Sequence, residues 1–166
     1  MYAEPIISSE GLDIYATKEN TRKWEEVLFE MKADTNGNYS KETIDWIADE
    51  VDKMKNAESG TFIPRGEFTD TITYDQVLEK PKKVALLYNN GCASSCETSL
   101  FLGMKSSKTI LVGENSGGYV GYGEVTSIET PHFGFVLNQT LTRYREARKY
   151  EADGVPPDHQ LDYDRD

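Results

Sequence analysis

Val84-Ala-Leu-Leu-Tyr88, then Asn89-Asn90, then Gly91-Cys92-Ala93-Ser94-Ser95-Cys96-Glu97, is the stretch whose reading decides the fold. The apolar run between a charged approach and a turn reads as a buried strand, and Asn89-Asn90 as the turn itself. In Thr98-Ser-Leu-Phe-Leu-Gly-Met104, the spacing of Leu100, Phe101 and Met104 predicts a helix running to about Lys105. Thr109-Ile-Leu-Val-Gly113 then reads as a second buried strand. A strand–helix–strand unit of this length predicts a parallel pair joined by a right-handed crossover. The small-residue turn before the helix is a place where a nucleophile can be held exposed, beside the unpaired N–H groups of a helix N-terminus. Ser94 is the candidate nucleophile and the Ser95 N–H a candidate oxyanion donor. Serine is also among the commonest helix caps, which is the ordinary alternative for both. The turn does not read Gly-x-Ser-x-Gly, so the hydrolase elbow motif is absent.

Downstream of the second strand, Gly113 to Gly123 is glycine-rich but lacks the Gly-Lys-Ser/Thr ending of a P-loop and the glycine spacing of a dinucleotide fingerprint. It reads as a mobile loop near a site, with Gly117, Gly118 and Tyr119 as its substrate-facing part. Glu124–Glu129 and Phe133–Thr142 alternate as strands around a Thr130-Pro131-His132 turn, and Glu151 to Asp158 is turn-rich, with a loose acidic tail beyond.

Upstream, Pro5 to Tyr15 is mixed and reads as a loop. Thr17 caps a helix on which Trp24, Val27, Leu28 and Met31 form one apolar stripe, and Ser40 caps a second with Ile44, Ile47, Val51 and Met54. Asp34 to Asn38 joins them, with Asn36-Gly37 as the turn. The alternation of Asp34, Asn36 and Asn38 imitates a calcium loop, but Tyr39 stands where that loop needs glycine and Asp45 where it needs a bidentate glutamate, so no metal site is expected. Between Phe62 and Tyr74 a weak alternation is interrupted by Pro64 and Gly66, which predicts a strand that is short or at an edge.

The chain of 166 residues is long enough for one domain with a small helical subdomain. A net charge of -11 with no basic cluster excludes a nucleic-acid partner by electrostatics. No apolar stretch is long enough to span a bilayer, and Met1-Tyr-Ala-Glu-Pro has no signal-peptide character. Cys92 and Cys96 are too few for a disulfide framework and read as two small buried thiols flanking a tight turn, with a disulfide between them geometrically open if the turn brings their Cα atoms close.

Four elements in order resemble one family. Gly91-Cys-Ala-Ser-Ser-Cys-Glu97, Thr109-Ile-Leu-Val-Gly-Glu114, the glycine loop and Gly154-Val-Pro-Pro-Asp158 are similar to the tail-specific, C-terminal-processing serine peptidases, the S41 group. That family reads Gly-Thr-Ala-Ser-Ala-Ser-Glu at its nucleophile, where its first Ser matches Ser94 and its Glu matches Glu97. The resemblance covers about Lys82 to Asp158. It implies an α/β fold, a crotonase-like (ClpP-like) layering of twisted sheet and helices. Residues 1–60 would be a helical hairpin packed on it as an insert, and 61–166 the C-terminal part of the peptidase domain. It implies an endopeptidase working through an acyl-enzyme on Ser94, a peptide or protein substrate, no cofactor, and an extracytoplasmic setting in a bacterium.

Three departures narrow the resemblance. Ser–Lys members place their base in the glycine loop, where this chain has Tyr119 and no lysine. The tricorn-like branch uses Ser, His and Glu, with the acid just before the Gly-x-x-Pro-Asp element, where Glu151 stands. The histidine of that branch lies upstream of the nucleophile, whereas His132 and His159 both follow Ser94, and the family's Leu-Arg-x-Asn-x-Gly-Gly oxyanion stretch is absent. The chain therefore reads as the C-terminal piece of a longer peptidase, inactive by itself, with apolar surface left bare or covered by a second copy. A non-catalytic relative that binds peptide by strand addition is the alternative.

Overall fold

A computed structural model describes residues 6–76 and 78–161, with the side chains of 7–10 and 66–70 excepted. The elements run β1 (Ile6–Ala16), α1 (Lys18–Ala33), α2 (Lys41–Asn56), β2 (Thr61–Ile72), β3 (Val84–Tyr88), α3 (Ser95–Met104), β4 (Thr109–Gly113), β5 (Tyr122–Glu129), β6 (Val136–Tyr144), a 3₁₀ turn (Ala147–Tyr150) and β7 (His159–Gln160). Mixed sheets and helices make this an α/β chain. One sheet has the order β2-β1-β6-β5 and the other β3-β4-β7. Two compact units result: Gly11–Gly66 with Glu124–Arg143, and a second from Met1–Glu10, Glu67–Gly123 and Tyr144–Asp166. The helices thus share a unit with strand segments from both sides in sequence, and the units do not divide between residues 60 and 61.

In the helical unit the caps fall where expected. Thr17 Oγ1 accepts from Asn20 N–H at 3.1 Å and Ser40 Oγ from Thr43 N–H at 3.2 Å, satisfying donors that a helix start leaves open. Trp24 and Met31 of α1 join Ile47, Val51 and Met54 of α2 in one buried cluster with Ile14 and Leu141, while Val27 is exposed. Arg65 is buried between Trp24 and Trp46, its guanidinium 4.5 Å from each ring centre, and pairs with Glu124. In the interhelical turn, Asp34 accepts from Asn38 N–H (2.8 Å), Asn38 Nδ2 (3.1 Å) and Asn36 N–H (3.2 Å). The Asn38 N–H leads in holding this carboxyl below its usual range, and the contacts give the calcium-like spacing a local structural use.

Two expectations are corrected here and one, the edge strand, is met. Pro5 to Tyr15 was expected to loop, but β1 occupies Ile6–Ala16, and Leu12, Ile14 and Ala16 are buried at the period of a strand. The Phe62–Tyr74 segment lies at a sheet edge as expected but forms the twelve-residue β2, so it is not short. An edge position accommodates Pro64, whose missing N–H the ladder does not require there. The β5–β6 connection extends to Phe135, because Phe133 and Gly134 take φ of 72° and 62° and turn the chain back. Of the acidic tail, His159–Gln160 pair with β4, and residues 162–166 lie outside the described ones.

In the second unit β3 and β4 pair in parallel in the register Val84↔Thr109 to Tyr88↔Gly113, and α3 connects them. Tyr88, Cys92, Leu100, Leu111 and Val155 form the buried cluster beneath this layer. β3 is not buried on both faces as its apolar run suggested: it is an edge strand, and Leu87 is 66% exposed.

Candidate active site

Everything at the Gly91–Glu97 turn follows from how the chain leaves β3. Asn89 Oδ1 accepts from Gly91 N–H at 2.9 Å, and the Asn89 carbonyl accepts from Cys92 N–H at 2.9 Å, closing a tight turn. Ser94 then takes φ 55° and ψ -115°, a region that side-chain-bearing residues rarely adopt and that costs about 1–3 kcal/mol. The chain enters α3 at the next residue, and Thr98 N–H bonds the Ser94 carbonyl at 3.0 Å. Ser94 is exposed, and Ser95 opens the helix, so its N–H is among those without an intrahelical acceptor. A strained serine between a strand and a helix N-terminus is the geometry that elbow hydrolases give their nucleophile, here without the Gly-x-Ser-x-Gly sequence.

The positions two before and two after Ser94, which are glycines in that sequence, are Cys92 and Cys96. They are bonded to each other across the turn with Cα atoms 5.3 Å apart. The expectation of two free buried thiols is therefore wrong. Cys92 is buried, but Cys96, in the first turn of α3, is exposed.

Glu97 is the residue that the sequence reading left without a role. Its side chain is 0% exposed and gathers four donors: Ser116 Oγ (2.5 Å) and Gly118 N–H (2.8 Å) on Oε1, Ser94 N–H (2.9 Å) and Tyr119 N–H (3.0 Å) on Oε2. One carboxylate thus ties the nucleophile turn to the glycine loop. The Ser-x-x-Glu spacing of a capping box was the available signal, but it reveals only the Ser94 contact.

The glycine loop was expected to be mobile, yet hydrogen bonds anchor it on both sides. Gly117 N–H donates to the Cys92 carbonyl at 2.8 Å, and Ala152 N–H donates to the Gly118 carbonyl at 2.9 Å. Gly118 has φ +73°, and a Cβ there would stand 2.7 Å from the Ala152 carbonyl carbon, so only glycine fits. Ser116 Oγ also accepts from Val155 N–H at 2.7 Å, carrying the network into the Gly154-Val-Pro-Pro-Asp158 element. Asp158 closes that element on β4: its Oδ2 accepts from Leu111 N–H at 2.8 Å and its own N–H donates to the Leu111 carbonyl at 2.9 Å. Tyr119 is 66% exposed at its side chain.

Glu151 sits at the end of the 3₁₀ turn, half-buried, and its Oε2 accepts from Gly121 N–H at 2.7 Å. The structure therefore brings Ser94, Glu97 and the backbone of Gly117–Tyr119 into one hydrogen-bonded assembly and ties Glu151 to the far end of the same loop. Of the two histidines, His159 is exposed on β7, and His132 is exposed in the β5–β6 turn of the other unit.

Tyr88, at the end of β3, is a structural member of this assembly. Its hydroxyl donates to the Val155 carbonyl at 3.1 Å, and burial, with a smaller contribution from Asp158, pushes the phenol up to about 12. Between about pH 10 and 12 the unfolded phenol loses its proton while the folded one keeps it. Stability contributed by Tyr88 is thus expected to fall as pH rises through that window, by up to about 1.4 kcal/mol per pH unit, and to be flat below it. Urea unfolding of Tyr88→Phe, compared with the parent from pH 9 to 11.5, should lack that part of the slope.

The strand, strained turn and helix start thus hold Ser94 exposed in the arrangement that an elbow nucleophile takes. The chain belongs to peptidase family S41, whose sequence model matches residues 14–161. Among solved structures it is similar to a photosystem II D1 C-terminal processing protease, at 28% identity over 48% of this chain and 20% of that one, with a TM-score of 0.37. It is also similar to mature CPAF, at 17% identity over 97% of this chain and 34% of that one, with a TM-score of 0.51. Mature CPAF complexed with lactacystin gives 16%, 97%, 35% and 0.52 for the same quantities. The CPAF matches support a shared fold, and this chain spans about a third of the length of those structures. No curated protein sequence matches.

Proposed function

We propose that this chain carries the nucleophile half of a serine endopeptidase site, in which Ser94 attacks a peptide carbonyl and forms an acyl-enzyme. The observation that carries this reading is the backbone of Ser94: φ 55° and ψ -115° on an exposed residue, at a helix start, in a chain of family S41. A helix cap does not require that conformation, whereas a presented nucleophile does. The Ser95 N–H would donate to the oxyanion of the tetrahedral intermediate. Gly117, Gly118 and Tyr119 would line the path of the substrate chain.

Glu151 would orient a histidine base supplied by sequence outside these 166 residues, as the glycine loop has no lysine to serve instead. A larger, crotonase-like domain would continue the sheet at edge strand β3, whose outer N–H and C=O groups have no strand partner among the described residues. The Cys92–Cys96 bridge favours an oxidising, extracytoplasmic setting. The helices α1 and α2 would be the insert of such a domain.

A pH–rate profile of the longer protein on a peptide substrate tests the base. With histidine, kcat/KM rises through an apparent pKa near about 6.5 and levels off above it. A limb rising only above about pH 8 would point to lysine and remove Glu151 from its proposed role.

A further inference from the structure

We propose that the Cys92–Cys96 bridge is a thiol-exchange site, with a dithiol as its reaction partner, and that its redox state sets whether the Ser94 turn is competent. This rests on the reading of Ser94 as the nucleophile. The bridge spans the two residues that bracket Ser94, with Cα atoms 5.3 Å apart. One end is fixed: Cys92 is buried in the core cluster with Tyr88, Leu100, Leu111 and Val155, and its carbonyl holds Gly117 N–H at 2.8 Å. The other end, Cys96, lies on the exposed first turn of α3. A loop this short removes little freedom from the unfolded chain, so the bridge acts mainly on the residues it encloses. The enclosed centre is the strained one, Ser94 at φ 55°.

The exchange follows from the difference in exposure. A thiolate of the dithiol attacks the Cys96 sulfur, the S–S bond breaks, and Cys92 leaves as a thiolate that takes up a proton. The second thiol of the reagent then attacks the mixed disulfide and releases Cys96 as a thiol. Two electrons and two protons pass to the bridge, and the dithiol becomes a cyclic disulfide. With the staple open, Cys92 stays in the core and Glu97 keeps its four donors, so the release is confined to Ala93–Cys96, and there Ser94 relaxes toward a common backbone conformation. The site is active when oxidised and weakened when reduced.

The test uses the longer protein with dithiothreitol as the dithiol, alkylation and mass spectrometry to follow the two thiols, and the rate of fluorophosphonate labelling as readout. Reduction should slow labelling by roughly five- to a hundredfold, the range set by the cost of such a backbone conformation. Reoxidation should restore it, and the midpoint of urea unfolding should move little. The Cys92→Ala/Cys96→Ala double variant should label at the reduced rate with or without dithiothreitol. The proposal falls if the bridge is reduced and labelling keeps its rate, or if reduction unfolds the whole protein. An unchanged rate would leave the nucleophile reading intact, whereas no labelling in either redox state would remove both.

Discussion

In a protein that joins this chain to the proposed remainder of the peptidase domain, peptide hydrolysis should drop by roughly 10⁴-fold or more in Ser94→Ala, because losing the nucleophile leaves only the oxyanion donors and substrate binding. The backbone at Ser94 makes a second, less ordinary expectation. A residue with a side chain is strained at φ 55°, and glycine is not. Ser94→Gly should therefore be just as inactive yet more stable than the parent, by about 1 kcal/mol in urea unfolding. An inert cap would behave oppositely, since replacing a capping serine lowers stability and leaves activity alone. Measuring both quantities on one pair of variants separates the two roles for this serine.

Glu97→Ala should be the most damaging substitution for stability in this unit. It leaves the N–H groups of Ser94, Gly118 and Tyr119 and the Ser116 hydroxyl without the acceptor they share. An unsatisfied buried donor costs about 1–3 kcal/mol, so a loss above about 4 kcal/mol is expected even if Ser116 rotates to another partner. That is a large fraction of the stability of an ordinary domain. Glu97→Gln keeps one acceptor oxygen but turns an amide toward two donors, and should fall between the parent and Glu97→Ala. Urea unfolding of the three proteins checks the order. A Glu97→Ala protein within about 1 kcal/mol of the parent would mean that the carboxylate does not hold the turn to the loop.

Local signals carried much of this fold. The caps Thr17 and Ser40, the apolar stripes behind them and the parallel pair of β3 and β4 all depend on nearest neighbours or on a short crossover, and they were legible. β1 was not, because Ser8-Ser9-Glu10-Gly11 carries no apolar residue and the alternation covers only Leu12, Ile14 and Ala16; the buried Asp13 between them is accommodated by Arg143, 130 residues away, at 2.9 Å. The candidate site divides in the same way. Ser94 and Glu151 were singled out by motif and order, and their roles stand as proposals. The purpose of Glu97 could not, since three of its four donors arrive from a loop about twenty residues later. The disulfide was open in the sequence but not decided by it: it required the turn to bring the two Cα atoms close, and the structure puts them 5.3 Å apart.

The central claim is that Ser94 is a nucleophile, and covalent mapping tests it most directly. The longer protein is incubated with a fluorophosphonate, digested, and the adduct located by tandem mass spectrometry among Ser94, Ser95 and Ser99. The prediction is one adduct, on Ser94, with activity lost in proportion to labelling. An adduct on another serine, or full hydrolytic activity in a protein that takes up none, would contradict it.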